Sequence, residues 1–514
     1  MGIYTSDSNC AEIPAISVTD FVLRHAERLA EKAAMIDGMS GRVVTYGQLA
    51  AQIQSLAGGL KARGVGPGVT WALMAPNLPE YAVVFHGLAY AGATVTTLNP
   101  TYGADEIAFQ LKDAGASAIV TVNAFLGVAR DAAAQVGIEE IFVIGSGDAT
   151  PIASLLGEAL TEQVAVDYSE HVVVLPYSSG TTGFPKGVML THRNLVANLV
   201  QTEGHLALGE DELSYAVLPF FHIYGMQVLM NYMLCQGLTT VTVPRFDLVQ
   251  MLSLVQKHRI SRLYLVPPIV LALAKHPIID TFDLSSVRQI FSGAAPLGGE
   301  LAEAAAKRLD CNVAQGYGMT ELSPVSHIVR EDDYRAGSVG TLLARTEARI
   351  VDPDRGEDVE EGAPGELWIR GPQVMRGYLN NEEATAATVD SDGWLHTGDV
   401  AVRDEHGHYY IVDRLKELIK YKGFQVPPAE LEALLITHPE VADVAVIGVP
   451  DGATGELPKA FIVRAAGSDV TAEVLMAFVA GHVSTYKQVR LVEFIEAIPK
   501  SASGKILRRV LRDR

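Results

Sequence analysis

Cysteine is nearly absent from this chain: Cys10, Cys235 and Cys311 are widely spaced and odd in number. No disulfide framework and no metal-ligand spacing follows, which points to a reducing, cytoplasmic setting. Basic residues are outnumbered, 40 Lys and Arg against 60 Asp and Glu, for a formal charge of −20. A nucleic-acid binder carries a basic face, so this balance argues against that class. It also means that any anionic ligand has to be met by a local basic site inside an acidic envelope. No unbroken apolar run is long enough for a membrane span. The most apolar stretch, residues 217–243, is interrupted by Pro219, His222, Gln227, Asn231 and Gln236 and reads as buried sheet and helix. The first ten residues lack a basic start and an apolar core, so no signal peptide is expected, and Leu511-Arg512-Asp513-Arg514 is not a peroxisomal address. No obligate protein partner is evident.

What is present is globular composition, 48% hydrophobic and 19% charged, over 514 residues, too many for one ordinary core. Thr45 to Gln48 reads as a capping box opening a helix through about Lys61. Strand candidates at 69–75, 94–98, 118–122 and 141–144 alternate with helix candidates at 78–91 and 104–114, the pattern of parallel sheets covered by helices. The pattern changes near Asp413. Pro427 and Pro428 start a helix that ends before His438, and strands at 441–449, 459–463 and 489–495 with a helix at 471–483 form a compact α+β unit. The expectation is an α/β chain in two parts, 1–413 and 414–514.

The segment with the most chemistry is 178–187. Four hydroxyls (Ser178, Ser179, Thr181, Thr182), three glycines (Gly180, Gly183, Gly187) and Lys186 fall within ten positions. Glycines let the backbone approach a ligand closely, hydroxyls donate to phosphate oxygens, and the lysine adds a point charge. The spacing is not that of a P-loop. A plain Gly/Thr hairpin is the alternative, and this density of donors argues against it.

Segment 178–187 resembles the signature of the adenylate-forming superfamily of acyl-CoA ligases, adenylation domains and luciferases. Further motifs of that superfamily follow in order at 219–225, 315–321, 394–399, 413–425 and 499–505, so the resemblance covers nearly the whole chain. Within it, segments 219–225, 266–271, 292–297 and 417–425 are most similar to the 4-coumarate–CoA ligase branch. The resemblance implies a large N-terminal ATP- and acyl-binding domain and a small mobile C-terminal catalytic domain with its hinge near Lys416. It implies the reaction acid + ATP + CoA to acyl-CoA + AMP + pyrophosphate through an acyl-adenylate, with Mg²⁺.

By that resemblance Thr320 touches the α-phosphate, and Glu321 holds Mg²⁺, whose preference for one or two carboxylates with phosphate oxygens and water suits a lone glutamate. Asp399 and Arg414 resemble the ribose-binding pair, with a surface salt bridge as the alternative. Gly293, Ala294, Gln315 and Gly316 resemble the adenine wall. Lys505, delivered by the loop 501–504, would bridge the substrate carboxylate and the α-phosphate, supplying charge stabilisation on the order of 3–4 kcal/mol. The four arginines behind it (Arg508, Arg509, Arg512, Arg514) read as a solvated helical end. Rotation about Lys416 would withdraw Lys505 and present Lys420, Lys422, Gly423 and Gln425 for thioester formation, with Arg245 resembling a coenzyme A contact; a solvated basic face is the alternative for the two lysines.

For the acid, His222 resembles the gate of the acyl pocket and Tyr224 a wall along a phenolic substrate, while Gly293, Gly318, Pro324 and Val325 match small and apolar walls. No acidic residue occurs between Leu213 and Pro244, where amino-acid-activating relatives place an aspartate. Two positions depart from plant relatives: Phe291, where a lysine near the ring hydroxyl is frequent, and Gln227, where asparagine stands. Competing readings are a medium- or long-chain fatty acyl-CoA ligase, an acyl-AMP ligase loading a carrier protein, and a non-catalytic nucleotide-binding relative; the last requires lost catalytic groups, whereas Glu321 and Lys505 are both present.

Overall fold

The computed structural model describes residues 2–178, 185–206, 208–452, 454–501, 504–512 and 514. Two large sheets with parallel centres carry the first part of the chain. One has eight strands, with Val172–Ser178, Thr94–Thr97, Thr70–Met74, Ala116–Val122 and Glu140–Ile144 as its parallel centre. The second has nine strands around the parallel set Asn312–Gly318, Gln289–Ser292, Arg262–Leu265, Leu213–Ala216, Thr239–Thr242 and Ala33–Asp37. Because both faces of such strands are covered, even the threonine-rich Thr94–Thr97 and Thr239–Thr242 are buried throughout.

The helices that cover them are buried. In Pro79–Tyr90 every residue except Glu80 is buried, and His192–Glu203 exposes little more than Arg193. Helix Tyr46–Ala62 begins at the Thr45/Gln48 capping box expected from the sequence. Its Gly58 and Gly59 allow close chain contact: a Cβ on either would lie 1.7 Å from the Glu158 carbonyl or 1.6 Å from that of Leu155.

A third sheet, wholly antiparallel, was not expected. It orders Tyr4–Thr5, Glu347–Val351, Gly365–Arg370, Leu395–Arg403 and Tyr409–Arg414, and it closes over its own core of Leu342, Ile350, Leu367, Ile369 and Leu395. The fourth sheet is built only from residues after Leu418. Hairpin Ile419–Tyr421/Phe424–Val426 joins strands Gly455–Arg464, Val441–Asp451 and Leu491–Phe494 around a separate core that includes Leu431, Val446 and Ile462.

The final helix, Arg508–Arg512, corrects the expectation of a solvated basic end at Arg508, while Arg509, Arg512 and Arg514 are exposed as expected. Arg508 makes two bonds to the Glu432 carboxylate, at 2.7 and 2.8 Å, with both side chains largely buried, and Arg512 pairs with Glu417. A basic run can cover an acidic interior surface as readily as face water. Among the described residues, no helix is long and apolar enough to cross a membrane.

Candidate active site

A cavity of about 510 Å³ opens where the first three sheets and the loop carrying Lys505 meet. Its position follows from strand ends. Parallel strands expose their C-terminal ends along one edge, where ligands of open α/β sheets bind. Thr97, Ser178, Gly293 and Gly316 to Gly318 line the cavity from such ends.

The turn between Leu218 and Gly225 is pinned from the opposite sheet. Asn77 donates to the carbonyls of Ala216 and Leu218 and accepts from the Phe220 amide, while the Thr97 hydroxyl donates to the Phe221 carbonyl at 2.7 Å. His222 and Tyr224 are thereby held in the cavity wall. The next turn is a π-helix, Tyr224–Tyr232, and it places Tyr224, Val228 and Tyr232 along the same cavity wall. Wide turns of this kind recur at functional sites.

One part of the cavity holds Ser178, Lys186, Thr320 and Glu321. Glu321 is buried, and its Oε1 accepts from Ser178 Oγ at 3.2 Å and from Tyr378 Oη at 2.8 Å. Lys186 Nζ stands 4.3 Å from the centre of the same Tyr378 ring. One phenol thus joins the lysine and the carboxylate. Burial, and next Glu321, push the Tyr378 hydroxyl far above its ordinary range, so it remains a donor. Residues 179–183, which carry the rest of the proposed phosphate grip, lie outside the described residues. Among the described residues no group of three or more His, Cys, Asp or Glu is placed to hold a metal. A single carboxylate fixed on one oxygen fits a cation that completes its shell with ligand phosphates and water, which is the habit of Mg²⁺.

A second part joins the third sheet to Tyr317. Asp399 Oδ2 accepts from Tyr317 Oη at 2.6 Å, and Oδ1 lies 3.3 Å from Arg414 Nε. Asp399 is 5% exposed, so this pair is no surface salt bridge. Gly293, Ala294 and Gly316 line the cavity, whereas Gln315 turns away and uses both ends of its amide on the Leu297 backbone, at 2.9 and 3.1 Å. Tyr317 and Tyr378, which bond Asp399 and Glu321, were passed over by sequence reasoning.

Lys505 reaches the cavity from the far part of the chain, with Ser501, Lys416 and Arg414 beside it. Packed surroundings, then the Arg414 guanidinium, lower its ammonium from 10.5 to about 8, against the pull of Asp399 and Glu321. His222 is lowered to about 4, by burial and then by Lys505, and is neutral at physiological pH. Lys420, Lys422, Gly423 and Gln425 lie elsewhere, exposed on the hairpin. The hairpin turns at Lys422 (φ 50°) and Gly423 (φ 81°), and Gly423 supplies the left-handed conformation at no steric cost. Arg245 is exposed and does not line the cavity.

The remaining part is apolar: Val228, Phe291, Pro324, Val325 and Ile328 line it, with Tyr224, Tyr232 and Tyr264. Gly318 permits the bend at its edge, since a Cβ there would lie 2.1 Å from the Pro324 carbonyl. A Cβ on Gly293 would lie 2.8 Å from the Tyr224 ring. Gln227 is buried away from the cavity, donating to the Leu195 carbonyl at 2.8 Å and accepting from Asn231.

Residues 22–379 match the model of the AMP-binding enzyme family, and residues 430–505 that of the AMP-binding enzyme C-terminal domain. The chain is 44% identical to 4-coumarate–CoA ligase 5 of Oryza sativa subsp. japonica, covering 98% of this chain and 96% of that one. It is 42% identical to 4-coumarate–CoA ligase 1 of Petroselinum crispum, covering 96% and 93%. Among solved structures it resembles the anthranilate CoA ligase AuaEII in complex with anthranoyl-AMP, with a TM-score of 0.91 at 27% identity over 98% of each chain. ATP-bound MatB from Rhodopseudomonas palustris gives a TM-score of 0.88 at 28% identity, covering 97% of this chain and 99% of that one.

Proposed function

The chain belongs to the AMP-binding enzyme family, and on that premise we propose that it joins a 4-coumarate- or cinnamate-type acid to coenzyme A using ATP. The observation that carries this reading is the convergence of an apolar arm, a phosphate-facing carboxylate and the Lys505 ammonium on one cavity. The relatives named as 4-coumarate–CoA ligases support the same substrate class. The apolar part carries the rings of Tyr224, Tyr232, Tyr264 and Phe291, which suit an aryl acid.

Adenylation begins when a carboxylate oxygen of the acid attacks the α-phosphorus of ATP and pyrophosphate leaves. The apolar part would hold the acid, and Lys505, which lines the same cavity, would stabilise the charge that develops at the α-phosphate. Thr320 and Lys186 hold phosphate oxygens; Asp399, kept in place by Tyr317 and Arg414, accepts from the ribose hydroxyls. Glu321 would hold Mg²⁺, which when bound neutralises charge on the departing pyrophosphate. The second step forms the thioester: the coenzyme A sulfur attacks the acyl carbon, the bond to the phosphate oxygen breaks, and AMP leaves.

We assign residues 1–413 to binding ATP and acid and residues 414–514 to a unit that turns about Lys416. In the orientation seen, Lys505 is in the cavity and the Lys420–Gln425 hairpin is outside it, the arrangement suited to adenylation. Turning would bring Lys420, Lys422, Gly423 and Gln425 to the site for thioester formation, with Arg245 as a coenzyme A contact. The test is pyrophosphate release and thioester formation over a panel of acids with ATP, Mg²⁺ and free coenzyme A. Hydroxycinnamates should give a higher kcat/KM than saturated chains. Absence of pyrophosphate release with every acid overturns the reading.

A further inference from the structure

Beyond Pro176, strand Val172–Ser178 has run past its parallel neighbour: Pro176 faces Thr97, where the adjacent strand ends. Among the described residues, Tyr177 and Ser178 pair only with Gly187 and Lys186 of the antiparallel strand Lys186–Thr191. Two side chains of this extension serve the cavity. Ser178 Oγ reaches Glu321 Oε1 at 3.2 Å, and Lys186 shares the Tyr378 ring with the same carboxylate. A short ribbon outside its sheet is free to twist, so holding these groups to the precision that phosphate binding needs calls for a brace.

Tyr177 provides one. Its Oη donates to Asp113 Oδ2 at 2.6 Å, and Asp113 ends the covering helix Ala104–Asp113. Asn380, at φ 52°, donates from Nδ2 to the Asp113 carbonyl at 3.1 Å and lies 3.4 Å from its Oδ1. The preceding Leu379 amide donates to the Gly187 carbonyl at 2.8 Å. The circuit closes at Gly187, where a Cβ would lie 3.0 Å from the Tyr177 ring, so the ring rests directly on that backbone. Burial, and next Asp113, push the Tyr177 hydroxyl far above its ordinary range and keep it a donor, and a bond from phenol to carboxylate is of the stronger, charge-assisted kind.

We propose that Tyr177 is a positioning residue for the pyrophosphate end of ATP: braced on Asp113, it fixes where Ser178 and Lys186 stand beside Glu321. The phenol touches no reacting atom and acts through these two neighbours. This rests on the ligase reading above, in which Glu321 serves the departing pyrophosphate. AMP keeps only the phosphate next to the ribose, so its binding does not depend on the brace.

The test is equilibrium titration of ATP and of AMP, each with Mg²⁺, into the parent, Tyr177→Phe, Asp113→Ala and the double variant. Tyr177→Phe keeps the ring on Gly187 and removes only the hydroxyl. Each single change should weaken ATP binding about tenfold and leave AMP binding within about twofold, and the double variant should lose no more than either alone. Asp113→Asn keeps an acceptor oxygen and should recover most of what Asp113→Ala loses. In pyrophosphate exchange, KM for ATP should rise while KM for the acid barely moves. Unaltered ATP binding, an equal loss with AMP, losses that add in the double variant, or an asparagine variant no better than the alanine one would each overturn the proposal. If the parent releases no pyrophosphate with any acid, the ligase reading fails and the titrations still decide about Tyr177; a parent that binds no ATP refutes both.

Discussion

Lys505 is charged where charge is expensive, and the adenylation half-reaction should show it as a fall in rate at mildly alkaline pH. Moving this ammonium from 10.5 to about 8 corresponds to at most about 3 kcal/mol, with cavity water reducing the figure. In the enzyme free of ATP, about half the molecules carry the charge at pH 8 and roughly one in ten at pH 9. The assay is ATP–pyrophosphate exchange without coenzyme A, so the titration of its thiol does not intrude. Plotted as kcat/KM for ATP, the rate should hold level to about pH 7.5 and then fall about tenfold per pH unit. At saturating ATP the fall should move to higher pH, because bound phosphates hold the proton on. The other large shifts lie away from this window: His222 is near 4, and Cys235 and Cys311 are near 12. Lys505→Arg should be slower but lack the alkaline limb. A parent profile flat to pH 9.5, or the same limb in the arginine variant, refutes the assignment. The folded state binds fewer protons here than the unfolded chain between about 8 and 10.5, so this residue's contribution to stability rises with pH across that interval.

Three further outcomes are expected. Lys420→Ala should slow thioester formation from supplied acyl-AMP while sparing pyrophosphate exchange, and equal losses in both assays would contradict two uses of one unit. Tyr378→Phe removes a 2.8 Å bond to Glu321 and should lower kcat/KM about tenfold at limiting Mg²⁺, with recovery as Mg²⁺ is raised; a deficit that ignores Mg²⁺ would mean that the phenol only fills space. Arg508→Met strands the buried Glu432 carboxylate and should cost about 3–5 kcal/mol in urea unfolding, whereas stability near that of the parent would show the pair to be dispensable.

Much of this could be read from the chain before folding. Apolar runs, the Thr45 capping box and the proline-started helix at Pro428 are local signals, and the structure places those elements within a few residues of expectation. The antiparallel sheet ending at Arg414 was missed although Gly365–Arg370 alternates buried and half-buried residues and Leu395–Arg403 pairs with the neighbouring Tyr409–Arg414; only its edge strand Tyr4–Thr5 pairs across a long separation. Long-range pairing hid Tyr317, Tyr378 and Arg508. A tyrosine in a glycine-rich stretch reads the same whether it packs or bonds Asp399, and a basic terminal run does not announce Glu432. Gln315 shows the converse, since its motif suggested the nucleotide wall while its amide is taken up by Leu297.

The hairpin with Lys420 and the loop with Lys505 are fixed to the same sheet: Tyr421 pairs with Gly455, and Lys500 bridges to Ile506, which packs on the core containing Phe461. If the unit turns about Lys416 as proposed, two tools mounted on one sheet take turns like the pallets of a clock escapement, one releasing before the other seizes. Improving either chemical step alone would not shorten a cycle limited by that turn, and tethering position 275 to position 436, where the Lys275 ammonium donates to the Ile436 carbonyl at 2.9 Å, should hold the unit in the adenylating orientation.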